Sequence, residues 1–271
     1  MVYIICIIIG IFTAFAGSLV GLGGGILLIP SLLFLNQISS EFSWATPQTI
    51  VGISLIVMVF TALSSTIFYF REGRVDYKTG FLLLSGSVPG GILGSWLNQF
   101  VAEDDFSFYF GILMIVLSLL FFIKRNMLGK QPVTKKGLRS FQFDGVTYQY
   151  TVTFWVAFIT SLVVGTLSGL FGIGGGSIMV PLMILLFGFP VHIAIATSMF
   201  IIFFSSIISA GTHIILGHVS WEYVLFFIPG AWIGGTIGAK VNQRMNSRAL
   251  EWILRVLLML IGLRLIIAGL T

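Results

Sequence analysis

Two stretches of backbone, rather than reactive side chains, carry the groups best suited to bind a ligand in this sequence. Residues 21–25 read Gly-Leu-Gly-Gly-Gly and precede Pro30, and residues 172–176 read Gly-Ile-Gly-Gly-Gly and precede Pro181. Glycines release the backbone from its usual φ limits and leave N–H groups that no side chain covers. Such N–H groups attract anions, as do the positive ends of helices. We predict an anion site built from both triplets, namely Gly23, Gly24 and Gly25 with Gly174, Gly175 and Gly176.

The glycines also have a structural interpretation, because small residues let membrane helices pack closely. Matched triplets with matched prolines favour a pair of broken helices instead, each with its N-terminus near the centre of the membrane. Hydroxyl groups occupy matched positions a few residues into the span that follows each short run. Ser54, Thr197 and Ser198 either bond back to their own helices or contact the anion, and we include them in the predicted binding site.

The apolar content determines the class of protein. Of the 271 residues, 57% are hydrophobic and 8% are charged, whereas soluble domains carry about 25% charged residues. Apolar runs of membrane-spanning length recur along the chain, which predicts an all-α polytopic membrane protein. These runs hold no Asp or Glu away from their ends, and the lone Cys6 excludes a multi-cysteine metal site. We therefore predict no catalytic residues, no cofactor and no metal. The net charge of +5 is attributed to cytoplasmic loops and not to nucleic-acid binding.

The second half of the chain repeats the first beyond the glycine triplets. A series at four-residue spacing recurs 144 residues later: Gly86, Gly90, Gly94 and Asn98 match Gly230, Gly234, Gly238 and Asn242. Glycines at this spacing predict faces for close helix contact. We predict a first transmembrane repeat over residues 1–123, a connecting loop over 124–150 and a second transmembrane repeat over 151–271. Internal repeats are typical of secondary transporters.

The loop lysines and arginines predict how the two halves are oriented. Such residues concentrate in cytoplasmic loops, so the basic connection 124–150 is placed inside the cell. Keeping every loop lysine and arginine inside requires inverted repeats of about five hydrophobic segments each, with both termini extracytoplasmic. The total is 8–10 membrane helices, with glycine-broken helices in each half. As a helix, the short run 26–35 spans about 15 Å, half the hydrocarbon thickness, so full crossing by the runs after the triplets stays open.

The sequence resembles the TauE/SafE family, also called TSUP, of sulfite and organosulfur-anion exporters. The resemblance rests on two halves that each have a glycine triplet, a proline five residues later and three more spans, and it covers nearly the whole chain. It implies a plasma-membrane transporter of sulfite, sulfate, thiosulfate or a sulfonate. The pair Thr197-Ser198 is similar to the family's Thr-Ser element, whereas the first half has Ile53-Ser54 there.

These features together predict a secondary transporter that exports a small sulfur-containing anion by alternating access. The expected partners are the inorganic or organosulfur anion, membrane lipid and protons. Because the interiors of the apolar runs hold no carboxylates, protons would travel on the anion itself or through His213. An anion channel built on the same glycine breaks is the main alternative, and an intramembrane enzyme is a weaker one.

Overall fold

The structure of the chain is a computed structural model that describes residues 2–120 and 138–246, together with single helical positions between 249 and 263. The predictions made for residues 121–137 and for most of the last span, 250–270, lie outside the described residues. In the first half the helices are α1 (Val2–Val20), α2 (Gly25–Ile38), α3 (Pro47–Arg71), α4 (Tyr77–Asn98) and α5 (Glu103–Leu120). In the second half they are α6 (Phe154–Phe171), α7 (Gly176–Leu182), α8 (Val191–Ile215) and α9 (Trp221–Asn242).

Six of the described helices are long and apolar enough to cross a membrane: α1, α3, α4, α6, α8 and α9. This confirms the prediction of an all-α polytopic membrane protein. The two helices that follow the glycine triplets are shorter. Helix α2 has 14 residues, about 21 Å, and α7 continues through a π-helical turn, Met183–Phe187, to a combined length of about 18 Å. Neither matches the hydrocarbon core of about 30 Å.

The long helices pack in pairs that join the two halves. Helices α1 and α9 run side by side in the same direction, since Tyr3 bonds Glu222 near their starts and Asn242 bonds the Leu19 carbonyl near their ends. Helices α4 and α6 form the equivalent pair. The glycine series predicted as contact faces lies in these two seams: a Cβ added at Gly90 or Gly234 would meet the backbone of the neighbouring helix at 2.2 Å. Only glycine permits this approach.

Helices α3 and α8 are the most buried of the six spans and lie against each other at the centre. They run in opposite directions, because Gly52 near the start of α3 faces His218 just beyond the end of α8. At the other end, the ring of Phe70 lies 5.8 Å from that of Phe200. Pro47 and Thr46 begin α3 with a proline in the first turn and a side-chain cap on the Thr49 amide.

A β-hairpin occupies the second part of the connection that the sequence predicted only as a polar loop. Strands β1 (Leu138–Phe143) and β2 (Val146–Thr151) pair antiparallel around a two-residue turn. Both turn residues, Asp144 at φ 51° and Gly145 at φ 73°, are left-handed, as a type I′ turn requires. The hairpin packs on the end of the helix bundle where α4 begins, and we call that end the hairpin-side mouth.

The main attachment of the hairpin to the helices is the phenol of Tyr150, which donates to the buried carboxylate of Asp76. The same carboxylate caps α4 by accepting from the Thr79 amide and hydroxyl. The Tyr150 ring also stacks on Phe189, with centroids 3.9 Å apart. Burial, followed by the bond to Asp76, raises the pKa of Tyr150 well above its ordinary range, so the phenol keeps its proton as a donor.

Candidate functional site

Each glycine break has the same backbone shape. The first, third and fourth positions of each stretch are left-handed: Gly21, Gly23 and Gly24 have φ of 81°, 81° and 99°, and Gly172, Gly174 and Gly175 have φ of 68°, 72° and 66°. Residues with a Cβ rarely adopt this region. The breaks therefore end α1 and α6 and allow α2 and α7 to start at a new angle, as the sequence predicted.

The two breaks lie against each other at the centre of the helix bundle. A Cβ added at Gly25 would lie 2.3 Å from the carbonyl oxygen of Gly172, and one added at Gly176 would lie 2.3 Å from the carbonyl oxygen of Gly21. The N-terminus of α2 thus rests on the second break, and the N-terminus of α7 rests on the first. The structure brings together both glycine triplets of the predicted site.

Two of the predicted hydroxyls hold the breaks in place. Ser54 Oγ donates to the Gly172 carbonyl at 2.7 Å, and Ser198 Oγ lies 3.0 Å from the Gly21 carbonyl. Ser198 also lies 2.8 Å from the Ile195 carbonyl of its own helix, so its single proton is shared between two acceptors. Each serine therefore crosses from its own half to the first glycine of the other half's break.

Thr197, the third predicted hydroxyl, has a different partner. Its Oγ1 accepts from the backbone N–H of Asp76 at 3.1 Å, which ties α8 to the start of α4 at the hairpin-side mouth. The equivalent position in the first half is Ile53, which is apolar and fully buried. Thr197 therefore lies one residue from Ser198 in the chain, but its hydroxyl is directed to the mouth rather than to a break.

The start of each short helix presents backbone N–H groups that none of the described residues accept. They belong to Gly25 and Ile26 in the first half and to Gly175 and Ser177 in the second. All four residues are buried. The first N–H groups of a helix have no partner within the helix, and they carry its positive dipole charge. Two such helix starts in contact form a compact region of hydrogen-bond donors.

Ser177 adds a side-chain donor that the sequence analysis did not select. Its hydroxyl is fully buried, and it has no hydrogen-bond partner among the described residues. The equivalent residue in the first half is Ile26. The sequence signal for Ser177 was a difference between the repeats, because the residue after the triplet has a hydroxyl in the second half and an aliphatic side chain in the first. A buried hydroxyl beside free N–H groups at a helix start is suited to bind an anion.

Two apolar side chains lie where the breaks approach each other. A Cβ on Gly23 would meet Met58 Sδ at 3.0 Å and Ile202 Cγ2 at 3.3 Å, and Gly174 faces the same pair. Met58 and Ile202 are matched by the 144-residue offset, and both are buried. They shield the break region from water, which strengthens any electrostatic interaction there.

Matched hydrogen bonds fasten the ends of α1 and α6 just before the breaks. Asn242 Nδ2 donates to the Leu19 carbonyl at 2.6 Å, and Asn98 Nδ2 donates to the Leu170 carbonyl at 2.7 Å. Tyr69 donates to the Ser18 carbonyl at 3.2 Å, and its equivalent, His213, lies with Nε2 3.2 Å from the Gly169 carbonyl. The same two contacts therefore recur before each break.

His213, the predicted proton carrier, is buried and already hydrogen-bonded at both ring nitrogens. The Gly169 carbonyl can only accept, so Nε2 carries a proton, and Nδ1 lies 3.2 Å from Nδ1 of His218. When both rings are neutral, His218 donates to His213. Burial lowers the pKa of His218 from its ordinary value of 6.5, which favours this neutral pair.

The fold and the paired breaks define a polytopic membrane protein with a water-shielded, donor-lined centre. A family described as sulfite exporter TauE/SafE matches residues 6–265, so the chain belongs to this family. Among its relatives is the probable membrane transporter protein YunE of Bacillus subtilis, 45% identical over 99% of both chains. The probable membrane transporter protein ORF9 of Sinorhizobium is 26% identical over 93% of this chain and 87% of its own. YdhB of Bacillus subtilis, also a probable membrane transporter protein, is 25% identical over 93% of both.

No solved structure matches the chain. The family and the relatives' names indicate a membrane transporter rather than an enzyme. A transporter implies a small transported substrate, whose chemistry must be argued from the site. Among the described residues, no group of three or more His, Cys, Asp or Glu side chains is placed to hold a metal ion.

Proposed function

We propose that the protein is a secondary transporter that exports a small sulfur-containing anion, such as sulfite, sulfate, thiosulfate or a sulfonate, across the plasma membrane by alternating access. The anion would bind between the starts of α2 and α7, within the triplets Gly23–Gly25 and Gly174–Gly176. One observation carries the proposal: the two helix starts touch at the centre of the bundle, and the N–H groups of Gly25, Ile26, Gly175 and Ser177 have no acceptor among the described residues.

The charge of the site suits an anion that must also leave. Each helix start contributes roughly half a positive charge, and the Ser177 hydroxyl adds a neutral donor. A buried lysine or arginine at the centre would be costly to desolvate and would hold the anion more tightly. Ser54 and Ser198 would act by fixing the two breaks, and Thr197 by fixing the hairpin-side mouth.

We propose alternating access on the basis of the duplicated contacts. Each half contacts the other through a serine, an asparagine and a series of glycines at equivalent positions, and α3 and α8 run in opposite directions. Inverted repeats produce this arrangement, and exchanging the conformations of the two halves would open the centre to the other side. Met58 and Ile202 would have to move for one anion to contact both breaks. The thioether side chain of Met58 has the rotational freedom to do so.

The proposed topology follows from the basic loops and places both termini outside the cell. The connecting segment 124–150, with its hairpin, would then be cytoplasmic. The hairpin-side mouth would be the inner mouth, from which an exporter loads its anion. Protons would accompany the anion, because His213 is committed to the Gly169 carbonyl.

Uptake into proteoliposomes tests the proposal directly. The purified full chain should exchange labelled sulfite, sulfate, thiosulfate or sulfoacetate with saturable counterflow, and phosphate serves as a comparison anion. Parallel runs with and without a pH gradient would reveal proton coupling. Unitary currents in a planar bilayer would identify a channel instead. The absence of flux for every sulfur anion would refute the assignment of substrate class.

Ser177→Ala tests the placement of the site. Loss of one hydrogen bond to a charged ligand costs about 1.5–3 kcal/mol, so the affinity for the transported anion should fall about tenfold or more. Ser87→Ala is the matched control, because Ser87 Oγ is also buried without a partner among the described residues but lies on α4. Binding should be measured on monodisperse protein. Equal effects of the two substitutions on affinity would show that Ser177 does not contact the anion.

A further inference from the structure

Arg74, in the turn between α3 and α4, has two guanidinium nitrogens without an acceptor among the described residues. Its Nε and Nη1 atoms are buried, and they make no hydrogen bond within the described part of the chain. The ring of Phe143, from the hairpin, lies over the group, with the guanidinium carbon 5.3 Å from the ring centroid. An aromatic face replaces only part of the hydration that a buried cation loses. The group is therefore placed to receive an anion.

The two nearest acidic residues in the chain, Glu72 and Asp76, do not serve as that acceptor. Glu72 is exposed and accepts from neither buried nitrogen of Arg74. The Asp76 carboxylate accepts from Thr79 and from the Tyr150 phenol. Arg139, on strand β1, donates to the Thr79 hydroxyl at 3.1 Å and so belongs to the Asp76 cluster. Arg74 is left as a separate cation at the hairpin-side mouth.

Arg74 lies on the approach to the first glycine break. Its backbone N–H donates to the carbonyl of Tyr69 at 3.1 Å, and the Tyr69 phenol donates to the carbonyl of Ser18, three residues before Gly21.

We propose that Arg74 forms a second anion site, which takes a small tetrahedral or pyramidal oxyanion at the hairpin-side mouth. The guanidinium would offer Nε and Nη1 as a fork, a geometry that matches two oxygens of sulfate, sulfite or phosphate. The role of this site in loading the transporter rests on the proposed function, whereas anion binding at Arg74 does not depend on it.

The opposite mouth differs at the equivalent positions. The residue 144 positions after Arg74 is His218, and Tyr69 is replaced by His213. The hairpin-side mouth therefore keeps a permanent positive charge, whereas the other mouth carries a neutral histidine pair at neutral pH. Such a difference would concentrate anions at the hairpin-side mouth before they reach the central site.

Binding of inorganic sulfate and phosphate to the purified full chain tests the site. Isothermal titration at fixed ionic strength should show affinity reduced at least tenfold in Arg74→Gln and reduced less in Arg74→Lys, which keeps the charge but not the fork. Arg71→Gln is the matched control, because Arg71 is exposed on the last turn of α3, and it should leave affinity unchanged. Equal affinity in Arg74→Gln and the native chain would overturn the proposal.

The source of the oxyanion is resolved by repeating the titration in nanodiscs. If the ligand is a free oxyanion, sulfate affinity will be the same in zwitterionic discs and in discs containing anionic phospholipid. If it is a lipid headgroup, anionic lipid will displace sulfate, and Arg74→Gln will abolish its enrichment around the protein. Either result supports an oxyanion site at Arg74. Enrichment of lipid that does not depend on Arg74, with no sulfate binding, contradicts it.

Folding and transport measurements separate this site from the central one. Arg74→Gln removes a buried cation without an acceptor, so its unfolding midpoint should be no lower than that of the native chain; a large drop would indicate a structural role and overturn the proposal. If Ser177→Ala impairs transport while Arg74→Gln changes neither binding nor the half-saturating concentration, the mouth site fails and the proposed function stands. If sulfate binding depends on Arg74 but the chain transports no tested anion, the mouth site stands and the proposed function fails.

Discussion

The contact between the two glycine breaks can be tested by adding one methyl group at a time. Gly25 and Gly176 have ordinary backbone angles, so alanine at either position introduces no φ strain. The added Cβ would lie 2.3 Å from a carbonyl oxygen of the other break, whereas ordinary contact begins at 3.4 Å. The two breaks would therefore have to separate by about 1 Å.

The expected cost has two parts in Gly25→Ala. Overpacking of a filled interior costs about 1–3 kcal/mol. The new Cβ would also lie 2.7 Å from Ser54 Oγ, so the bond from Ser54 to the Gly172 carbonyl would be lost. Hydrogen bonds between membrane helices contribute about 0.6–1.7 kcal/mol. Together these changes should lower the free energy of unfolding by about 2–5 kcal/mol, and Gly176→Ala should behave similarly against the Gly21 carbonyl.

Denaturant unfolding in detergent micelles measures the cost. Gly211→Ala is the matched control, because Gly211 lies within α8 and a Cβ there has no atom within 4 Å. That control should be neutral, or more stable by about 0.5–1 kcal/mol, since glycine is unfavourable inside a helix. If Gly25→Ala and Gly176→Ala both unfold within about 0.5 kcal/mol of the control, the breaks do not touch, and the central site as described is wrong.

Three further outcomes are expected. Tyr150→Phe removes the donor to the Asp76 carboxylate and should expose the hairpin to faster limited proteolysis, whereas Tyr148→Phe should not; equal rates would show that the phenol does not hold the hairpin. Burial lowers the pKa of His218, so the unfolded chain binds a proton at this residue before the folded chain does as pH falls below 6.5, and the free energy of unfolding should decline with falling pH. His218→Gln should flatten this decline in pH-dependent unfolding. An unchanged slope would exclude His218 as its cause. In a Cys6→Ala background, a cysteine at position 271 should react with an impermeant reagent from the outer face, and reaction only after the inner face is exposed would contradict the inverted topology.

The membrane class, the positions of the breaks and the glycine seams were all predictable, because each depends on residues close together in the chain or on a fixed repeat offset. The hydrogen bonds between the two halves were not predictable. Ser54 and the Gly172 carbonyl are 118 residues apart, and no local pattern specifies which acceptor a membrane hydroxyl finds. The expected partners of these serines were the anion and their own helices, whereas in the structure Ser54 bonds the opposite half.

The hairpin, by contrast, was predictable and was missed. Residues 138–151 alternate aromatic and polar side chains around an Asp-Gly pair, which is the strongest short-range signal for a two-residue hairpin. The basic residues of the connection indicated a polar cytoplasmic loop, and the alternation was not used. The consequence is functional, since the hairpin contributes Phe143 and Tyr150 to the mouth that contains Arg74.

The differences between the two halves matter more for function than the motifs they share. Two identical inverted halves would give inward-facing and outward-facing states the same energy and the same affinity for the anion. At positions matched by the repeat, this chain departs from identity along the proposed path: Ser177 against Ile26 at the centre, and Arg74 against His218 at the mouths. A ligand shifts a two-state equilibrium only by its difference in affinity for the two states. Any preference for loading at one face must therefore arise at such unmatched residues, because the two glycine breaks share one backbone shape.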